Sequence, residues 1–236
     1  MSKKQAYIVT VANQKGGSGK STVVVNLAIK LSNLGGKVLV MDTDPQKSEE
    51  CFVKTRQSKK LPHFTLSNCA GDIAQSLKSS IKLYDFIIID TGGIDSQDSR
   101  KAMLYADAII LPSTASSFDA AVLDTMLATI KEIKDLNKEV KICILMNKIS
   151  TNVFLDRDLA DYKKGVKSLQ DGLNLQEDFY LLNSVLRERI AYRRAIAEGV
   201  GITEHSDIKA RGEFEEFFAE FADCVNLLSN SKKNKV

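Results

Sequence analysis

An α/β fold, a mostly parallel twisted sheet with helices on both faces, is predicted by three observations. Short continuous apolar runs of strand length recur along the chain, segments with helical spacing alternate with them, and Asp or Asn ends several of the runs. Residues 6–12, Ala-Tyr-Ile-Val-Thr-Val-Ala, are β-branched and short enough for a fully buried strand. A glycine-rich turn follows, then a helix from Lys20 to Leu34 with Val23, Val24, Leu27, Ala28 and Leu31 on its inner side; Gly35-Gly36 stops it. Val38–Met41 reads as a second strand ending in Asp42, residues 46–60 as a polar helix, Phe64–Leu66 as a short strand and Asp72–Leu83 as a helix. Phe86–Ile89 is the strongest strand signal and ends in Asp90. Next come a helix at 97–105, a strand at Ala108–Leu111, a long helix at 118–136 and a strand at Val140–Met146 ended by Asn147. A helix at 155–171 and a last strand at Phe179–Leu182 follow. In the final helix, Phe214, Phe217, Phe218, Phe221, Val225 and Leu228 form one core-facing stripe.

Composition narrows the function classes. The 236 residues, 44% hydrophobic and 27% charged, suffice for one folded domain over 1–229, with 230–236 a frayed basic tail. No apolar run reaches 18 residues and the first five residues are polar, so neither a membrane span nor a leader is expected. Cys51, Cys69, Cys143 and Cys224 lie far apart, which suits reduced, mostly buried thiols in a cytoplasmic protein and offers no zinc or iron–sulfur site. The two histidines, His63 and His205, read as surface or loop residues. A net charge of +3 excludes neither a nucleic-acid partner nor its absence, because only a local basic face is needed.

The chemistry concentrates in Asn13-Gln-Lys-Gly-Gly-Ser-Gly-Lys-Ser-Thr22, between the first strand and first helix. Small residues there let backbone N–H groups curl round a polyphosphate, and the helix N-terminus adds its positive dipole end. Lys20 supplies charge for the β/γ oxygens, and the Ser21 hydroxyl suits Mg²⁺. Gln14 stands where the general phosphate-loop pattern has glycine, and a second lysine, Lys15, opens the loop. The stretch Lys15-Gly-Gly-Ser-Gly-Lys-Ser21 therefore resembles the deviant Walker A motif of the ParA/MinD ATPase superfamily. The resemblance implies a P-loop NTPase fold with ATP and Mg²⁺ as cofactors. It assigns nucleotide contacts to Lys15, Gly16, Gly17, Ser18, Gly19, Lys20, Ser21 and Thr22, with Lys15 reaching across a sandwich dimer to the partner's phosphates. The plainer alternative for Lys15 alone is a solvated loop lysine, and its place in the motif weighs against that.

Asp42-Thr-Asp44-Pro-Gln46 puts two carboxylates just past a strand end, where open α/β sheets bind ligands. It resembles the family's D-x-D-P-Q segment, which implies that Asp42 holds Mg²⁺ or the attacking water and that Asp44 is a supporting or switch residue. The plainer reading is a pair of acids capping the next helix. Asp90 resembles the Walker B acid, a Mg²⁺ ligand through water. The chain departs from the frequent D-x-P-P by reading Asp90-Thr-Gly-Gly93, so Gly92 and Gly93 become the switch residues, as in the small plasmid-partition branch. Asp90-x-x-Gly93 with Asn147-Lys148 also echoes GTPase motifs, but Ser150 stands where a guanine reader needs a carboxylate, so adenine is favoured. Asn147 then contacts the base edge, holds the loop or is a turn residue.

Pro112-Ser-Thr-Ala-Ser-Ser-Phe-Asp119 is similar to the family's dimer-facing helix start, although Asp119 equally reads as a helix cap. Leu186 to Gly199 carries Arg187, Arg189, Arg193 and Arg194 and resembles the family's basic stretch beside the nucleotide site. By resemblance these arginines contact DNA backbone without reading sequence; a solvated helix end with local ion pairs is the alternative. Lys163, Lys164 and Lys167 either extend that patch or are plain surface. The acidic face of the last helix, with Glu213, Glu215, Glu216, Glu220 and Asp223, argues against a membrane-surface role.

The resemblance spans nearly the whole chain and is strongest to short plasmid-partition ParA proteins. It implies an ATP hydrolase that forms a homodimer with ATP, binds non-specific DNA on the nucleoid and resets by hydrolysis with a ParB-like partner. The alternatives are a positioning ATPase for another cargo, a non-hydrolysing nucleotide-gated binding module, and a small-molecule kinase or ligase.

Overall fold

A computed structural model of the protein describes residues 5–43, 48–69, 71, 73–93, 96–114, 117–152, 156–172 and 178–228. The order of elements is β1 (Tyr7–Val11), α1 (Lys20–Asn33), β2 (Val38–Asp42), α2 (Ser48–Ser58), β3 (Thr65–Asn68), α3 (Ile73–Ser80), β4 (Phe86–Asp90) and α4 (Gln97–Leu104). It continues with β5 (Ala108–Ser113), α5 (Ser117–Leu136), β6 (Lys141–Ile149), α6 (Asp156–Gly172), β7 (Phe179–Arg187), α7 (Ile190–Glu198) and α8 (Ile208–Cys224). A single 3₁₀ turn, Ile202–Glu204, separates α7 from α8.

The seven strands form one sheet in the order β3-β2-β4-β1-β5-β6-β7, and every neighbouring pair is parallel. Both faces are covered, which is why the central strands are apolar at consecutive positions. Val9, Val40, Ile88 and Ile110 face a core built with α1, α7 and α8. Their chain neighbours Ile8, Met41, Ile87 and Ile109 face a second core built with α3, α4 and α5. Helix α1 sits deepest, with Val23, Val24, Val25, Leu27, Ala28, Ile29 and Leu31 all buried.

Several elements differ from the sequence expectation, among them β5, which runs on to Ser113, and α3, which ends at Ser80. β6 runs past Met146 to Ile149, because its ladder to β7 continues through the polar Asn147 and Lys148. β7 continues beyond Leu182 to Arg187; as an edge strand it is only partly buried, so Asn183 and Ser184 do not end it. The third strand is shifted to Thr65–Asn68, and Phe64 precedes it as a core residue. The last helix ends at Cys224, and Asn226 adopts a left-handed φ of 52°. That turn carries Leu228 out of the phenylalanine stripe to 40% exposure and puts Leu227 in the core instead. Among the thiols, Cys51 is exposed and Cys224 half-buried, while Cys69 and Cys143 are buried; burial pushes the Cys143 thiol well up. Asp44, the Asp119 side chain and the tail from residue 229 lie outside the described residues.

Candidate functional site

The site forms at the C-terminal ends of the central strands, the crevice in which open parallel sheets bind ligands. The chain leaves β1 at Val11 and is pinned by Asn13. The Asn13 amide donates to the Pro112 carbonyl at 2.6 Å, and its oxygen accepts the Lys15 N–H at 2.8 Å. Gly17 and Gly19 hold left-handed φ values of 76° and 91°, which turn the backbone into the first turn of α1 at Lys20. Lys20 is buried and its Nζ lies 3.4 Å from the Lys15 carbonyl, so the ammonium group is folded into the loop. Ser18 is 1% exposed, and its hydroxyl has no hydrogen-bond partner among the described residues. Ser21 and Thr22 occupy the first turn of α1 and are half-buried.

Opposite the loop, Asp42 and Asp90 are register partners on β2 and β4, and Asp90 also pairs with Val11 on β1. Both carboxylate residues are 1% exposed. The strand ends are tied together: the Thr43 hydroxyl donates to the Asp90 carbonyl at 2.9 Å, and the Thr91 hydroxyl to the Val11 carbonyl at 3.0 Å. The two glycines expected to act alike are distinct. A Cβ at Gly93 would stand 3.3 Å from Gly16 Cα and 3.8 Å from Lys20 Nζ, whereas Gly92 has open space. Gly93 therefore abuts the phosphate loop directly.

Asn147 and Lys148, from β6, close the other side of the loop. The Asn147 amide donates to the Ser18 carbonyl at 2.7 Å, and Lys148 Nζ to the Gly17 carbonyl at 2.6 Å. Of the alternatives weighed for Asn147, holding the loop is the contact the structure contains. A Cβ on Gly19 would fall 2.4 Å from Asn147 Nδ2. Gly19→Ala is accordingly expected to cost about 1–3 kcal/mol from the left-handed backbone and to displace Asn147. Thermal unfolding without ligand checks the first effect, and triphosphate titration the second.

Beside the loop lies a cavity of about 240 Å³ lined by Thr22, Asn147, Lys148, Arg187, Arg189 and Tyr192 among others. The four arginines of this region separate into two kinds. Arg187, at the end of β7, donates from Nη1 to the Ser150 carbonyl at 2.6 Å. Arg189, at the N-cap of α7, grips Glu213 through Nε at 3.0 Å and Nη2 at 2.6 Å. Hydrogen bonding to Glu213 raises the pKa of that guanidinium further. Arg187 and Arg189 are thus committed to internal acceptors, while Arg193 and Arg194 are exposed on α7. Lys163 likewise folds onto the Leu182 and Asn183 carbonyls of β7 and does not extend an exposed patch.

Sequence reasoning passed over further residues, one behind the loop and one away from it. Asn26, 2% exposed, joins the Thr22 carbonyl to the Ile202 N–H. Arg56, on α2, is wholly buried and grips Glu204 at 2.7 and 2.8 Å and the Gly199 carbonyl at 3.1 Å. Asn13 had a signal, since it directly precedes the loop; Arg56 in a polar helix had none.

The donor set fits a nucleoside triphosphate with a hard divalent cation. A glycine cradle at a helix N-terminus, an unpartnered buried hydroxyl at Ser18 and the inward Lys20 suit phosphate oxygens. The Ser21 hydroxyl and the Asp42 and Asp90 carboxylates are the oxygen ligands that Mg²⁺ prefers.

Similarity to known proteins extends well beyond the loop. The "Maintenance of carboxysome distribution protein A" of Halothiobacillus neapolitanus is 25% identical over 234 residues, 98% of each chain. The chromosome-partitioning ATPase Soj of Thermus thermophilus is 25% identical over 154 residues, 53% of this chain and 62% of that protein. The structure of Cyanothece McdA in its apo form superposes with a TM-score of 0.72 at 19% identity, covering 92% of this chain and 99% of that one. A family model described as the CobQ/CobB/MinD/ParA nucleotide binding domain matches residues 9–202, the span that carries the loop, both acidic strand ends and the Asn147 contact. The chain is therefore a member of that family and of the ParA/MinD superfamily within it.

Proposed function

We propose that the protein is a ParA-type ATPase that forms a homodimer around ATP, binds DNA non-specifically in that state and is reset by hydrolysis. Segregation of a plasmid or chromosome on the nucleoid, with a ParB-like partner stimulating hydrolysis, is the task that fits. One observation carries the reading: the Lys15–Lys20 loop stands against two buried carboxylates in register at the strand ends. Lys20 and the loop N–H groups hold the β- and γ-phosphates, and Ser21, Asp42 and Asp90 hold Mg²⁺. The cation, when bound, neutralises charge on the phosphate oxygens. Asp42 orients the attacking water and Asp44 supports it, while Lys15 of the second copy meets the charge that develops as the phosphoryl group departs. Gly93, against Gly16 and Lys20, and the adjoining Gly92 form the switch that senses the γ-phosphate. Asn147 contributes by holding the loop beside the cavity that Arg187 and Tyr192 also line.

The DNA surface in this proposal is α7, through Arg193 and Arg194. Removing one cation that neutralises a DNA phosphate should flatten the dependence of affinity on salt by about one unit of log–log slope. Arg193→Ala and Arg194→Ala are expected to do so, measured by titration of duplex DNA at several salt concentrations. Arg189→Ala is expected to lower thermal stability by breaking its Glu213 pair and to leave the slope nearly unchanged.

A second reading is favoured by the full-length likeness to a carboxysome distribution protein: the cargo is a protein body and not DNA. No helix among the described residues is long and apolar enough to cross a membrane, which both readings accommodate. The test is sizing with ADP, ATP and a slowly hydrolysed analogue, followed by phosphate release with and without DNA. A dimer with triphosphate alone, and DNA-stimulated release, support the proposal. An unchanged monomer overturns it, and dimerisation without any release would leave a nucleotide-gated binding module.

A further inference from the structure

Lys148 occupies a position that a strand does not normally allow. Successive side chains of a strand point to opposite faces, so Asn147 and Lys148 should diverge. Both nonetheless reach the phosphate loop, Asn147 at Ser18 and Lys148 at Gly17, 2.7 and 2.6 Å from the respective carbonyls. The backbone accounts for it. Lys148 has a φ of 52°, in the left-handed region that non-glycine residues avoid. The register with β7 advances from Met146↔Val185 to Ile149↔Arg187, three steps on β6 against two on β7. One extra residue is thus bulged into β6 at the place where the alternation must break.

The carbonyls chosen give the bulge its purpose. In a trans peptide the C=O and the following N–H point in opposite directions. A donor held on the Gly17 carbonyl therefore turns the Ser18 N–H to the far side of the peptide, and a donor on the Ser18 carbonyl does the same for the Gly19 N–H. We infer that Lys148 is a positioning residue: with Asn147 it fixes two successive peptide planes of the loop so that their N–H groups face a triphosphate before it arrives. The ligand class is a polyphosphate, held through its oxygens and not through its base. This rests on the reading of the loop as a triphosphate site, and it adds a strained lysine that contacts backbone instead of ligand.

The test is calorimetric titration of the full chain with Mg·ATP and, separately, with Mg·tripolyphosphate, together with thermal unfolding without ligand. Lys148→Met is expected to weaken both ligands by about tenfold, the weight of one charge-assisted hydrogen bond. Lys148→Arg, which keeps a donor and its charge, should recover part of that affinity. Lys148→Gly is the discriminating variant, because glycine accepts the left-handed backbone. Its unfolding midpoint should hold or rise while both affinities fall. A lysine that merely supports the strand would give the reverse, a lower midpoint with unchanged affinity, and that result overturns the inference. Weakening confined to ATP, with tripolyphosphate unaffected, would place Lys148 on the base or ribose and overturns it too. If the unsubstituted protein binds neither ligand, the triphosphate reading falls and takes this inference with it; normal wild-type binding with an unaffected Lys148→Met overturns this inference alone.

Discussion

Arg56→Met is expected to lower stability by about 3 kcal/mol, because it removes a wholly buried guanidinium from backbone carbonyls and from Glu204, which is itself only partly buried. For a chain of this size that corresponds to a fall in unfolding midpoint on the order of 10 °C. The guanidinium is 0% exposed and donates to both oxygens of Glu204, to the Gly199 carbonyl and, from Nε, to the Pro62 carbonyl. Methionine fills much of the volume but removes the donor from the Gly199 and Pro62 carbonyls and leaves Glu204 with Asn33 and the Gly201 N–H. The pH dependence should change as well. Burial alone pushes the Glu204 carboxyl up, yet hydrogen bonds from Arg56, Asn33 and the Gly201 N–H outweigh it and hold the pKa below the ordinary carboxylate range. A lowered folded value means the stabilisation is complete at neutral pH and is lost as pH falls through that lowered value. Without Arg56 the largest of the interactions that lower this pKa is lost, and the decline should begin at a higher pH. Thermal unfolding of both proteins between neutral pH and about pH 4 checks this; superimposable pH profiles would refute the role given to the pair.

Lys15→Gln is expected to reduce partner-stimulated hydrolysis by about 10³-fold or more, the range found when a charge supplied across an interface is removed. ATP binding by the monomer should change little. The reason is local: Lys15 is anchored through its backbone, its N–H on Asn13 and its carbonyl near Lys20 Nζ. Those two backbone contacts remain available when the side chain is changed. Lys20→Gln should instead abolish binding and turnover together, since that ammonium group is folded into the loop itself. Equilibrium titration of ATP against single-turnover phosphate release separates the two variants. If Lys15→Gln cannot bind ATP as a monomer, its charge acts within its own subunit and the dimer scheme fails.

The phosphate loop, β1, β2 and β4 were legible because each reports itself locally. Glycine is required where φ is positive, and strands buried on both faces must be apolar without interruption. The end of β6 was not legible. Asn147 and Lys148 look like a stop signal, yet they are polar because they serve the loop and not because the strand ends. β7 was cut short for the related reason that an edge strand tolerates polar residues on its open side. Leu228 left the phenylalanine stripe because periodicity cannot foresee the left-handed turn at Asn226. Arg56 was hidden most completely: its acceptors at Gly199 and Glu204 lie over 140 positions away, and only the fold brings them together. The arginine stretch was found, but which of its members are already engaged depends on Glu213 in α8 and on Ser150, just past the end of β6.

The placement of β1 bears on how the protein is made. It precedes by many residues its neighbours in the sheet, β4 and β5, which pair with it at Phe86–Asp90 and Ala108–Ile110. At about 5–20 residues per second, roughly 4–16 s of translation separate the emergence of Val11 from that of Asp90, where its first partner is complete. Through that interval one of the most apolar segments of the nascent polypeptide has no strand to pair with. A chaperone holding the nascent chain would find its longest-lived target there.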